Sequence, residues 1–174
     1  VMEPIKGGTL ANFPKEIESI YKEVRPEDSI ASWALRFLLD KPGIMTILSG
    51  MNTLSDMEEN IQTFQQFNGL SQEEQDTIET VTKKLLSVPT IPCTKCRYCV
   101  PGCPMQIEIP ELFTAYNEQL KYGENRRYKT YYKEHTSNDH NLASACIQCG
   151  QCEGVCPQHL PIIEYLQKVA RTFE

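Results

Sequence analysis

All eight cysteines of this chain fall into two copies of the pattern C-x2-C-x2-C-x3-C-P, and none is left over. The candidate metal ligands are Cys93, Cys96, Cys99 and Cys103 in the first copy, and Cys146, Cys149, Cys152 and Cys156 in the second. Thiolate is the soft ligand that iron–sulfur clusters prefer, and closely spaced cysteines can wrap several corners of one cluster. The spacing therefore predicts two [4Fe–4S] clusters and a role in electron transfer.

The two cysteine runs resemble those of bacterial two-cluster ferredoxins, in which the fourth cysteine of each run binds the other cluster. The resemblance implies one cluster on Cys93, Cys96, Cys99 and Cys156, and a second on Cys103, Cys146, Cys149 and Cys152. Three glycines in the loops are expected to provide the backbone conformations that such loops need: Gly102, Gly150 and Gly154.

Two other uses of cysteine are open to a chain of this kind. Structural zinc also binds C-x2-C pairs, but a zinc ribbon uses two pairs rather than two triplets each followed by Cys-Pro. A disulfide scaffold belongs to secreted chains, and no export signal is visible here. We favour clusters over both, and a non-enzymatic zinc-binding interaction module remains the main alternative.

The formal net charge of −6 argues against a nucleic-acid or anionic-membrane partner. No apolar run approaches the length of a membrane span, and reduced thiolate ligands favour a cytoplasmic location. One basic and aromatic stretch, residues 124–135, could bind single-stranded nucleic acid. We favour a helix whose tyrosines pack inward and whose charges face water, with docking of a redox protein partner as its functional role.

Residues 89–174 are predicted to form one domain with an internal repeat around the two cysteine runs. The 42 residues between Cys103 and Cys146, positions 104 to 145, exceed the tight separation in compact bacterial ferredoxins. This insertion resembles α-helical ferredoxin domains, such as that of the iron–sulfur subunit of succinate dehydrogenase. The predicted core residues of its helices are Leu112, Phe113, Tyr116, Ile163, Leu166, Val169 and Ala170.

Residues 1–88 contain no cysteine and have the pattern strand, helix, strand, helix, helix. Strands are predicted at 1–5 and 44–48, and helices at 14–24 and 26–40. Two further helices should begin at capping boxes, Ser55 with Glu58 and Ser71 with Glu74, and Met57, Ile61 and Phe64 should continue an apolar stripe. This order indicates a parallel βαβ unit, which needs further strands beside it. Because the chain also opens on Val1 rather than Met, we expect a piece of a longer protein.

Four segments of this half, in order, resemble aldo/keto reductases. They are Val1–Leu10 (the seventh strand and its loop), Ser32–Leu39 (the penultimate large helix), Thr46–Met51 (the eighth strand) and Ser55–Asn60 (the start of the last barrel helix). The resemblance implies a mainly α chain with a small parallel βαβ part, the end of a (β/α)8 barrel followed by an α-helical ferredoxin domain. It also implies a longer protein that is an oxidoreductase acting on a small carbonyl substrate with NAD(P).

The same resemblance implies ten cofactor-binding residues in two loops: Pro4, Ile5, Lys6, Gly7, Gly50, Met51, Asn52, Asp56, Glu59 and Asn60. Gly50 and Asp56 stand near positions where many members place basic residues, so the choice between NAD and NADP is open. For Glu59 and Asn60, a solvated helix face is an equal alternative.

No catalytic residue can be named, because the family's catalytic Asp, Tyr, Lys and His lie on strands outside this chain. The histidines of the chain, His135, His140 and His159, all fall in the cysteine-rich half. The leading hypothesis is therefore an electron-transfer module fused to an aldo/keto reductase-like domain, and the alternative within this class is a reductase whose clusters are structural.

Overall fold

The computed structural model describes residues 1–136 and 141–174, so that His140 lies outside the described residues. The chain divides into two compact units, Val1–Ser87 and Val88–Glu174. This division falls one residue from the boundary predicted after residue 88. Both units are mainly helical.

The first unit is built from helices α1 (Lys15–Val24), α2 (Ile30–Leu39), α3 (Leu54–Gln66) and α4 (Gln72–Ser87), after a short 3₁₀ helix at Thr9–Ala11. Its apolar core joins α1, α2 and α4, and the Tyr21 and Trp33 rings lie 4.7 Å apart inside it. Ile17, Ile30 and Val81 are buried around these rings. The buried residues of these helices recur at helical spacing, as expected for amphipathic helices that share a core.

The predicted strands at 1–5 and 44–48 do not form in the described part of the chain, where one isolated parallel bridge joins Met2 and Leu48. The Leu48 N–H donates to the Val1 carbonyl at 2.9 Å as part of this bridge. Parallel strands need neighbouring strands and cover on both faces, and here both Met2 and Leu48 are exposed. The βαβ part and the barrel end are therefore not confirmed.

The apolar stripe predicted on α3 is not part of the core. Met57, Ile61 and Phe64 are exposed, while Thr63 is the buried residue of this helix. Helix α3 packs against α2, and polar residues of the two helices, including Arg36, Glu59 and Thr63, line a shared cavity.

Capping residues fix where α3 and α4 begin. Helix α3 begins two residues earlier than predicted, because its capping box uses Thr53 and Asp56 rather than Ser55 and Glu58. The Asp56 N–H donates to the Thr53 hydroxyl at 3.1 Å, and the Thr53 N–H donates to the Asp56 carboxylate at 3.0 Å. At α4 the predicted box forms as expected, with reciprocal hydrogen bonds between Ser71 and Glu74.

The Glu74 carboxylate should make the stability of the first unit depend on pH. Its burial opposes ionisation, but the Ser71 N–H and the Arg25 guanidinium, 2.5 Å away, outweigh burial and lower the pKa of Glu74. A pKa below the unfolded value of about 4.3 adds stability above that pH, which is lost as pH falls through the folded-state value. We expect the unfolding free energy, followed by the fluorescence of the single tryptophan Trp33, to fall as the pH is lowered below about 4.3.

Glu74→Gln should flatten this dependence. Glu79→Gln on the same helix is the matched control, since Glu79 is well exposed in a surface pair with Lys83. Equal pH profiles for the two variants would contradict the assignment.

The second unit is built from α5 (Ile109–Tyr122), α6 (Arg126–Glu134), α7 (Gln151–Gly154) and α8 (Ile162–Phe173), with a 3₁₀ helix at Ala143–Ala145. Helix α5 packs against α6 and α8. The buried core includes Ile107, Ile109, Leu112, Phe113, Ile162, Leu166 and Val169. Tyr116, Ile163 and Ala170, also predicted as core, are only partly buried.

Helix α6 points its aromatic side toward the core. Tyr128 and Tyr132 are buried, and the Tyr132 ring stacks on Phe173 at 4.8 Å. The Tyr132 hydroxyl donates to the Glu174 carboxylate and accepts the Ala143 N–H at 3.0 Å. The tyrosines of the basic stretch thus hold α6 and the last helix together. Among the described residues, no helix combines the length and apolar character that crossing a membrane requires.

Candidate metal centre

The two cysteine loops have the same backbone conformation, with Cys93 and Cys146 at equivalent positions. Left-handed φ angles recur in pairs: 57° at both Lys95 and Gln148, 64° at Arg97 and 76° at Gly150, and 53° at Gln106 and 51° at His159. Equivalent turn hydrogen bonds also recur, such as Gln106 N–H to the Cys103 carbonyl and His159 N–H to the Cys156 carbonyl, both at 3.0 Å. The sequence repeat is therefore a structural repeat.

Each loop helps to form one cavity lined by four cysteines. The first site, as we name it, is lined by Cys93, Cys96, Cys99 and Cys156. The second site is lined by Cys103, Cys146, Cys149 and Cys152. Ile109 lines both cavities. The fourth cysteine of each run thus lies with the triplet of the other run.

Burial of the cysteines follows the repeat as well. The second cysteine of each run, Cys96 or Cys149, is exposed, whereas the third, Cys99 or Cys152, is buried. The remaining four are partly buried, and all eight are free thiols. Within the described residues, no three Cys, His, Asp or Glu side chains converge closely enough to hold one metal ion, so the sulfurs surround each cavity rather than a single point.

Burial raises the pKa of the Cys99 and Cys152 thiols to about 11. Neighbouring thiols oppose ionisation further, and the Cys99 thiol is close enough to Cys152 for this effect. Backbone N–H groups act in the other direction, because the Lys95 N–H donates to the Cys93 sulfur and the Glu153 N–H to the Cys152 sulfur. The donor set of each cavity, four thiols with backbone N–H support, fits a [4Fe–4S] cluster.

The role expected of the glycines holds for one of them. Gly150 has the left-handed conformation, but Gly102 and Gly154 do not. Lys95, Arg97, Gln106, Gln148 and His159 adopt it instead, although it is unfavourable for residues with a Cβ. Sequence reasoning missed these five, since nothing in their side chains signals the conformation. Their only sequence signal is a fixed position relative to the cysteines.

Arg97 ties the first loop to α5 and α6. Its guanidinium donates to Glu108 at 2.6 Å and to Glu111 at 2.8 Å. Glu111 also accepts the Tyr131 hydroxyl of α6 at 2.6 Å. The loop that presents Cys96 and Cys99 is thereby fixed to the helices that enclose the core.

The structure brings together half of the predicted cofactor-binding residues of the first unit. One pocket beside the Met2–Leu48 bridge is lined by Pro4, Ile5, Gly7, Gly50 and Asn52. The other predicted residues, Lys6, Met51, Asp56, Glu59 and Asn60, are not among its lining residues.

The structure gives several of these remaining residues other contacts. The Thr53 side chain and the N–H groups of Asn52 and Thr53 hydrogen-bond with Asp56 at the start of α3, and they lower its pKa. Asn60 donates to the Ser49 hydroxyl at 3.1 Å. Glu59 lines a separate polar cavity with Arg36 and Thr63. Helix capping and packing therefore account for the positions of these side chains.

Comparison with known proteins supports the prediction of iron–sulfur clusters in the cysteine-rich half. Residues 92–160 match the family described as "4Fe-4S dicluster domain", so a ferredoxin-type domain for two [4Fe–4S] clusters is present in this chain. No solved structure gives a significant match.

Three curated relatives were found over about the same share of the chain. The subunit alpha 1 of the acetyl-CoA decarbonylase/synthase complex is 29% identical over 79 residues in Methanosarcina mazei and 32% over 80 residues in Methanosarcina acetivorans, in each case 45% of this chain and 8% of the relative. A component of the ion-translocating oxidoreductase complex of Buchnera aphidicola is 29% identical over 73 residues, 42% of this chain and 12% of the relative. The chain thus spans about a tenth of the length of these relatives. The matches give no support to the aldo/keto reductase resemblance.

Proposed function

We propose that the chain, which carries a 4Fe–4S dicluster domain at residues 92–160, transfers electrons through clusters at the first and second sites. The observation that carries the proposal is the pair of matched cavities, each lined by four cysteines drawn from both runs. In this assignment Cys156 completes the first site and Cys103 the second. A cluster bound at either site accepts or donates one electron at a time.

The residues around each site would bind a cluster, orient it and exclude water from it. The thiols lose their protons when they bind iron, so the raised pKa values of Cys99 and Cys152 make binding weaken as pH falls. Ile109 is buried against the cysteines of both sites and Ile162 against those of the first, and they keep water from the inner side. Backbone N–H groups, such as that of Lys95 on Cys93, remain available to the sulfurs and stabilise negative charge.

A redox protein is the proposed partner. The matched relatives are named as parts of an acetyl-CoA decarbonylase/synthase complex and of an ion-translocating oxidoreductase complex, which supports a partner within a redox assembly. In this chain Cys96 and Cys149 are exposed, and the neighbouring Tyr98 and Ile147 present apolar surface beside them. These two edges are where an electron would enter or leave.

Metal content tests the proposal directly. After anaerobic purification we expect about eight iron and eight acid-labile sulfide per chain, and a broad visible band near about 400 nm that dithionite bleaches. A colourless protein with about two zinc and no sulfide would instead establish the zinc-binding interaction module. Clusters that are present but do not accept electrons would favour a structural role.

A second candidate function, nicotinamide-nucleotide binding by the first unit, is favoured by the pocket that Pro4, Ile5, Gly7, Gly50 and Asn52 share. In a longer aldo/keto reductase-like protein this pocket would hold part of NAD(P) for reduction of a carbonyl substrate. Titration of the chain with NADH and with NADPH, followed by nucleotide fluorescence, tests it. Asn52→Ala should weaken binding and the exposed Asn68→Ala should not; equal affinities, or no binding, would refute the candidate.

A further inference from the structure

The loops of the first and second sites have matching backbone conformations but differ in the charges of their side chains. Two residues after the first cysteine of each run, the first loop has Lys95 and the second has Gln148. Both residues are exposed, and both have a φ of 57°. After the third cysteine, the first loop has Val100 and the second has Glu153. The two loops are thus alike in backbone, but the first carries a cation where the second is neutral, and the second carries an anion where the first is apolar.

The other fixed charges near the first site nearly cancel Lys95. Arg97 is paired with Glu108 and Glu111, so these four groups sum to about zero. At the second site Glu153 is held in place, because its carboxylate accepts the Ile163 N–H at 2.9 Å at the start of α8. The second loop has Gly150 where the first has Arg97 and contributes no cation. The fixed charges around the first site are therefore about one unit more positive than those around the second.

We propose that the first site has the higher reduction potential and is reduced first, because Lys95 beside the first site and Glu153 beside the second leave the fixed charges around the first site about one unit more positive. The inference rests on the proposed assignment of clusters to these sites. Reduction adds one electron and no proton, and takes a cluster with its four thiolates from about −2 to −3. A nearby cation stabilises the added charge and a nearby carboxylate opposes it, whatever the reductant.

The test is a dithionite titration of the full chain, monitored by electron paramagnetic resonance. Two one-electron steps are expected. Lys95→Gln should lower the upper step, reducing its equilibrium constant about threefold, or about 28 mV at 59 mV per tenfold. Gln148→Lys and Glu153→Gln should each raise the lower step, so that Lys95→Gln with Glu153→Gln brings the two steps together. These shifts should shrink as salt is added.

Two controls bear on charge and position. Lys95→Arg keeps the charge and should leave both steps in place. Lys121→Gln removes a cation twelve residues along α5 from Ile109, about 18 Å away, and should also leave them in place. A shift of the lower step by Lys95→Gln, or equal shifts from Lys95→Gln and Lys121→Gln, would overturn the inference.

Single-site proteins separate this inference from the assignment beneath it. Cys103→Ala with Cys146→Ala should retain about four iron and titrate at the upper step, and Lys95→Gln should still lower that step. If this protein retains about four iron but titrates at the lower step, the charge inference fails and the assignment stands. If it retains no iron, the crossed assignment itself fails, and with it the premise of the inference.

Discussion

Replacing Cys93 and Cys156 together by alanine should leave the chain with about four of its eight iron atoms, whereas replacing Cys146 and Cys156 should remove almost all of them. The reason is the crossed arrangement, in which Cys93 and Cys156 line the first site while Cys146 lines the second. The first pair of substitutions damages one site and the second pair damages both. Iron and sulfide assays on anaerobically purified protein measure the outcome.

The two double variants differ by only one position, Cys93 or Cys146, and these positions are equivalent in the repeat. Each therefore serves as the control for the other, and far-ultraviolet circular dichroism checks that the helices persist. If each run held its own cluster, the result would be reversed, with about four iron left after loss of Cys146 and Cys156. That reversal would refute the crossed sites.

Ile109→Ala should weaken both sites at once, because Ile109 lines both cavities and is 1% exposed. Truncating a buried isoleucine costs about 2–5 kcal/mol of unfolding free energy. It also opens the space between the sites to water. We expect a lower unfolding free energy, measured by anaerobic denaturation. We also expect faster loss of iron from both sites, measured by the decay of visible absorbance.

Leu120→Ala on the same helix is the matched control. Leu120 is 40% exposed at the far end of α5, so its truncation should change stability by less than about 1 kcal/mol and leave iron loss unchanged. Similar effects of the two variants would mean that Ile109 has no special place between the cavities.

The cysteine-rich half was predictable because its constraints are local and repeated. The ligand type, the two-cluster stoichiometry and the helices after each Cys-Pro all follow from spacing within a few residues. The core residues Leu112, Phe113, Leu166 and Val169 were also predictable from helical periodicity, and they are buried as expected. The left-handed residues, such as Lys95 and Gln148, could not be found this way, since their conformation is imposed by the loop.

The first half was less predictable because strand pairing and the burial of a helix face depend on other segments that pack against them. The segments at 1–5 and 44–48 have strand-like composition, yet they make one bridge, and no further strand lies beside them in the described part of the chain. The stripe of Met57, Ile61 and Phe64 has helical spacing, yet it is exposed. Apolar periodicity identifies the face that could be buried, but a packing partner decides whether it is.

By itself, the sequence determined the chemistry of the cysteine-rich half and the ends of several helices, because thiolate spacing and capping residues act over a few positions. Only the tertiary structure decided which cysteines share a cavity, for the spacing of each run would permit its own cluster or a crossed one. It also decided that Ile109 lines both cavities. These outcomes depend on contacts between residues far apart in the chain, and no local pattern contains them.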